Sequence, residues 1–244
     1  MTFPSDMPDD YPWLPGAQRS LMLDQAELAA RLGSIVTYDR RGQVNWMDQG
    51  QGGLSPWNVA GGGTGNGVAV IATNTYRGGY ALQMTAGSTA GRNSELVHRF
   101  NPQELNRWGL EVAVYWPTEF SFFTLSLDYF TGAQRYSAQL YIDRGAEEIY
   151  IIDEVDGYTF LAALPNPVDA YGKYHLVKMV AHIKEKTYTR IMYDDLAFEP
   201  VDKLVVVQAA PDTPEARIVI DHFSRVGQND IAVIGHVIST VGEP

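Results

Sequence analysis

Apolar and polar residues alternate along short runs through most of this 244-residue chain, and many of the runs are separated by Gly, Pro, Asn or Asp. Side chains two apart share one face of an extended chain, so such runs read as half-buried strands. They fall at 43–48, 68–73, 80–85, 94–100, 110–116, 122–130, 136–143, 148–155, 158–164, 174–183, 188–193, 203–208, 217–225 and 231–240. No helical period intervenes, and parallel βαβ units need a crossover helix. The chain is therefore expected to be all-β and antiparallel, a sandwich or a barrel. Asp156 and Gly157 lie between two runs and predict a two-residue type I′ hairpin turn. Residues 50–67, rich in glycine, read as a long loop, and Asn101 with Pro102 is placed to open one helical turn.

The first 33 residues follow a different pattern. Pro4, Pro8, Pro12 and Pro15 stand among Asp6, Asp9 and Asp10, which favours extended chain over helix or ladder strand. Phe3, Tyr11, Trp13 and Leu14 are poor residues to leave in water, so this arm is expected to lie on a surface, its own or a neighbour's. Asp24 and Glu27 have the spacing of a capping box, Leu28 and Leu32 form a buried edge, and Gly33 ends the helix they predict. A further strand is expected at 34–39, before a turn at residues 40–42. The domain reading is an arm with a short helix over 1–33 and one sandwich over 34–244.

Composition narrows the classes of function. Hydrophobic residues make up 45% of the chain, with 14 Tyr, 9 Phe and 5 Trp, enough to fill one core without disulfides. The absence of cysteine excludes thiolate metal sites and cysteine nucleophiles and fits a reducing compartment. No basic and apolar leader opens the sequence and no run is long enough to span a bilayer, which predicts synthesis in the cytoplasm without secretion and no membrane partner. A formal net charge of −11 repels phosphate backbones, so nucleic acid is not an expected partner.

Three stretches carry a resemblance. Trp46-Met-Asp48, then Gly53-Leu54-Ser-Pro-Trp57 and Arg77-Gly-Gly-Tyr80-Ala-Leu82, are similar to the opening of the concanavalin A-like lectin and glucanase jelly rolls, a superfamily that includes laminin-G-like domains. The run His175 to His182, followed by Lys186 to Arg190 and Asp194-Asp195, resembles their paired back-sheet strands, and Arg217 to Phe223 resembles their closing strand. The resemblance implies a jelly-roll β-sandwich of two antiparallel sheets. It also implies a place for structural calcium, with a carboxylate near the first strand and another on the last, positions matched by Asp48 and Asp221. The same fold hosts lectins, hydrolases, lyases and assembly proteins, so function has to come from a site.

No catalytic site is evident in the sequence. Glycosidases of this superfamily use Glu-x-Asp-x-x-Glu on one strand, a pattern absent here. Glu147, Glu148, Asp153 and Glu154 read as strand-end residues beside a turn. A lyase would need a Tyr or His base with a basic partner, for which Tyr136, Tyr141, His182, Arg135 and Arg190 are the candidates. The five histidines lack metal-ligand spacing. The glycines of 61–67 are not followed by the Lys and Ser/Thr of a phosphate loop. Trp57, Tyr76 and Tyr80, beside glycine-rich turns, are the candidates for stacking on a sugar. The first expectation is a non-enzymatic assembly protein, self-associating or joining other subunits through the arm residues Phe3, Tyr11, Trp13 and Leu14, such as a capsid decoration or tail subunit of a virion. The alternative is a carbohydrate-binding module or a polysaccharide-active enzyme.

Overall fold

The structure is a computed structural model that describes residues 42–76, 79–101, 107–117, 122–155, 157–164, 173–200, 203–224 and 229–243. Phe3, Tyr11, Trp13 and Leu14 of the arm, the helix expected over 24–33, the strand at 34–39 and Pro102 lie outside the described residues. Among the described residues there is no helix.

The strands in chain order are β1 (Gln43–Asp48), β2 (Asn58–Gly61), β3 (Gly67–Ile71), β4 (Ala81–Thr85), β5 (Asn93–Phe100), β6 (Arg107–Tyr115), β7 (Phe122–Phe130) and β8 (Gln134–Asp143). They continue as β9 (Glu148–Asp153), β10 (Gly157–Ala163), β11 (Tyr174–His182), β12 (Thr187–Tyr193), β13 (Leu196–Phe198), β14 (Val206–Ala209), β15 (Glu215–Phe223) and β16 (Ile231–Val241). They form two antiparallel eight-stranded sheets. Sheet A runs β13-β12-β11-β6-β16-β4-β3, with β1 also on β16. Sheet B runs β10-β9-β8-β7-β15-β5-β2, with β14 also on β8. The fold is a sandwich, one of the two forms the alternation predicts, and of the jelly-roll kind that the resemblance implies.

Period-two alternation decides which residues fill the space between the sheets. In β15 the pattern is strict: Ala216, Ile218, Ile220 and His222 point inward, and Arg217, Val219, Asp221 and Phe223 point out. Leu125 and Leu127 of β7 and Leu140 and Ile142 of β8 meet Leu110, Val112, Val177 and Met179 of sheet A in one core, all essentially without exposure. Each such side chain contributes roughly 1.5–3 kcal/mol on leaving water.

Local departures from expectation have physical causes. The hairpin between β9 and β10 closes on the pair Asp153 and Gly157, which leaves the three residues 154–156 between them instead of two. Gly157 takes the left-handed backbone (φ 71°) that its lack of a Cβ permits, and Asp156 lies outside the described residues. Inside the glycine-rich loop the short strand β2 pairs with β5, although every residue of it is exposed. The stretch Arg217 to Phe223 is not the last strand: β15 sits between β7 and β5 within sheet B, and β16, within sheet A between β6 and β4, follows it. The stretch from His175 to Arg190 behaves as the resemblance implies, with β11 and β12 paired in one sheet.

Candidate functional site

The outer face of sheet B holds a groove of about 430 Å³ whose floor is β7, within the range of small-ligand sites. Register builds it row by row. Glu95, Asp221, Thr124 and Tyr141 lie side by side on β5, β15, β7 and β8. Two residues further along come Val97, Val219, Ser126 and Gln139, and then Arg99, Arg217, Asp128 and Ser137. Thr124, Ser126 and Asp128 all point away from the core yet are buried, because longer side chains on the neighbouring strands rise around them.

The two ends of the groove differ in charge. At one end the cations already have partners. Arg135 donates to both oxygens of Asp128 (3.0 and 2.8 Å), whose carboxylate also accepts from Ser137 Oγ at 2.6 Å. Arg217 donates to Glu215 and to Asp212 (3.0 Å) and lies over the Phe130 ring at 4.1 Å, and Arg99 stands 4.0 Å from Glu215. At the other end are carboxyls. Asp221 accepts from the Asn93 amide at 2.9 Å and lies directly across from Glu95 in the β15–β5 register. Burial, followed by the charge of Glu95, pushes the Asp221 carboxyl up to about 7, so below neutrality it is largely protonated.

Aromatic rings border the acidic end. Phe122 packs against Phe223 and Tyr141 (ring centres 5.2 and 5.1 Å apart), and Tyr141 meets Tyr158 edge-on at 5.1 Å. Tyr150 continues the series to Tyr158 and Phe160. Tyr158 is 61% exposed and Phe160 54%, on the outer face of the edge strand β10. Burial, and then the neighbouring Tyr158, lift the Tyr141 phenol well above the usual range, so it stays a neutral hydrogen-bonding group.

The candidates from sequence are dispersed by the fold. Trp57 is buried at 6% exposure. Its indole N–H donates to Asp48 at 2.5 Å, and its ring meets Trp46 edge-on at 5.3 Å, so it anchors the end of the sandwich and cannot stack on a sugar. Tyr76 packs against Tyr174 and His236 on the sheet A side, directly over Gly235, where a Cβ would collide with it. Tyr80 is exposed but lines no part of the groove. Asp48 and Asp221 do not share a calcium shell. Asp48 ends β1 in sheet A and accepts from Gly50 N–H and Trp57, whereas Asp221 faces Asn93 and Glu95 on sheet B. Among the described residues no three His, Asp or Glu side chains converge on a metal position.

Of the residues considered for lyase chemistry, Tyr141 and Arg135 reach the groove. Tyr136 packs from the other face of β8 against the core, His182 is at the β11–β12 turn beside Glu185, and Arg190 is buried against Glu243. Asp153 is not a solvated strand end: it is buried and accepts from Val155 and Leu204 N–H, both at 2.8 Å. Glu148 accepts from the Tyr150 hydroxyl. Glu95 and Asp221 stand side by side on adjacent strands of one sheet face, whereas glycosidase carboxyls stand roughly 5 Å or more apart across the scissile bond. The sequence signal for the groove was present in the polar alternation of β7, Phe-Phe-Thr-Leu-Ser-Leu-Asp, whose Thr124, Ser126 and Asp128 are outward yet buried.

No protein-family model and no curated protein sequence matches the chain. Solved structures do. A galectin-like fold from Bacillus subtilis, a protein of unknown function, matches at 10% identity over 82% of this chain and 97% of its own, with a TM-score of 0.50. The likeness is one of fold. A carbohydrate esterase from the Shiga toxin-encoding bacteriophage phi24B matches at 10% identity over 82% of this chain and 99% of its own, with a TM-score of 0.50. A sialidase matches at 10% identity over 83% of this chain, with a TM-score of 0.52, and this chain spans 19% of that protein's length. These structures share the chain's fold.

Proposed function

We propose that the chain is a carbohydrate-binding module that holds a glycan along the outer groove of sheet B. The observation that carries this reading is an aromatic series, Tyr141 and exposed Tyr158 lining the groove and continued beyond it by Tyr150 and exposed Phe160, beside a groove lined with hydrogen-bonding groups. Aromatic faces bind the C–H faces of sugars, while carboxyl, hydroxyl and amide groups fix their hydroxyls. The fold it shares with a phage protein described as a carbohydrate esterase, and with part of a sialidase, agrees with a carbohydrate ligand. The side-by-side placement of Glu95 and Asp221 on one sheet face, rather than on opposite sides of a cleft, favours binding over hydrolysis. A glycan array followed by titration tests the reading. Tyr158→Ala and Phe160→Ala should each weaken the best ligand about 5- to 50-fold without loss of stability, since both rings are exposed. Retention of full affinity in the double variant would remove it.

A role in assembly is a second proposal, supported by the likeness to a phage protein over nearly that protein's whole length. In it Phe3, Tyr11, Trp13 and Leu14 hold the module on a neighbouring subunit of a virion. Deleting residues 1–16 should then abolish self-association in light scattering while leaving glycan binding intact; unchanged oligomers would end it.

A further inference from the structure

Thr124 stands at the middle of the acidic row, with Asp221 directly across on one side and Tyr141 on the other. Its side chain is 94% buried by its 6% exposure, and its hydroxyl oxygen has no hydrogen-bond partner. A buried, unsatisfied hydroxyl costs free energy that a ligand group can recover. Beside it the Glu95 and Asp221 carboxyls face each other, and Asn93 supplies Asp221 with a neutral amide as its only lowering influence. The arginines that share the groove are held at its far end by Asp128, Glu215 and Asp212. The row therefore offers acceptors and negative charge without a neighbouring cation.

We propose, building on the glycan-binding reading, that this row is a subsite for the protonated primary amine of an amino sugar, so that the groove takes glycans carrying free amino groups. A sugar hydroxyl brings one donor and no charge. An ammonium brings three donors and the missing positive charge, enough to reach Asp221, Glu95 and Thr124 together. An N-acetylated nitrogen loses the charge, keeps one donor and adds bulk where the floor is closed by buried side chains. The proton held by Asp221 leaves when the ammonium arrives, because the incoming cation takes over its role between the two carboxyls. The net charge of −11 also draws a cationic polymer toward the protein at long range. The rings of Tyr141 and Tyr158 beside the row would set the sugar plane and so favour an amino sugar over a lysine side chain.

The test is calorimetric titration of the full chain at pH 6 with the tetramer of β-1,4-linked glucosamine and with the same tetramer after N-acetylation. The amine form should bind at least about 10-fold tighter, and its heat should depend on buffer in the manner of proton release on binding. Asp221→Asn should abolish both the preference and the proton release. Thr124→Val should reduce affinity for the amine form more than for the acetylated one. Equal or stronger binding of the acetylated tetramer, a preference that survives Asp221→Asn, or tighter binding of an oligolysine peptide would overturn the assignment. If neutral glycans bind in the groove and the amine tetramer does not, the amine subsite falls and the glycan reading stands. If no glycan of any class binds, both fall.

Discussion

Asp221→Asn should stabilise the fold at the same time as it damages binding, and the size of the effect follows from the pH at which that carboxyl titrates. In the folded chain Asp221 holds its proton up to about pH 7, against an ordinary value of 3.8. Between those values the folded form binds more protons than the unfolded form, so the contribution of this residue to stability falls as pH rises and is fully lost above 7. Three pH units at 1.36 kcal/mol each set a ceiling of about 4 kcal/mol. The introduced amide never ionises, so it escapes the penalty. Urea unfolding followed by tryptophan fluorescence should show the variant more stable than wild type by about 2–4 kcal/mol at pH 8, with the difference closing toward zero near pH 4. In thermal scans about 2–4 °C per kcal/mol is expected for a domain of this size. The difference curve is the quantity to read, because His222 next to it titrates with the opposite sign. A variant no more stable than wild type at pH 8, or a difference independent of pH, would refute the reasoning.

Other side chains make separate predictions. Burial pushes the His222 imidazole down to about 4, so below pH 6.5 the unfolded chain takes up a proton that the folded chain refuses. About 3 kcal/mol should be lost by pH 4, and His222→Gln should flatten that acid limb in unfolding measurements at pH 4.5 and 7. Glu243 accepts from Lys178 at 2.7 Å, Arg190 at 2.8 Å and Thr240 at 2.5 Å, with both cations and the carboxylate buried. Glu243→Gln should cost about 3–5 kcal/mol in denaturant unfolding, because it leaves buried positive charge without its counter-ion. Trp57→Phe, which removes the indole donor from Asp48, should cost about 1–3 kcal/mol and leave glycan titrations unchanged. A selective loss of binding would return Trp57 to the site.

Strand positions were legible where alternation is strong and both faces have a reason. The run 122–130 coincides with β7, and the runs at 43–48 and 231–240 match β1 and β16 to within a residue. Strand β2 was not legible, because Val59 is its one large apolar residue and its order comes from pairing with β5, which no local pattern records. β13 is three residues long and escapes any period. The hairpin at Gly157 was legible as a turn but not as a turn type, since the closing pair depends on where the ladder stops.

The groove was hidden for a related reason that concerns register more than secondary structure. Asn93 and Asp221 are 128 residues apart and touch only because β5 and β15 pair in one frame. A slip of one residue would turn Asp221 inward and put His222 in the groove. Aromatic residues misled in the same way. Glycine-rich surroundings suggested that Trp57 stands free, yet such loops fold back over the sandwich end, and a large ring is what fills the gap beneath them. Tyr158 and Phe160 look like packing residues within an alternating run. β10 is an edge strand, however, and its outer side chains have a neighbour on one side only. Exposed rings on the edge beside a polar floor are an arrangement that sequence alternation cannot distinguish from a buried face, and only the order of strands in the sheet separates the two.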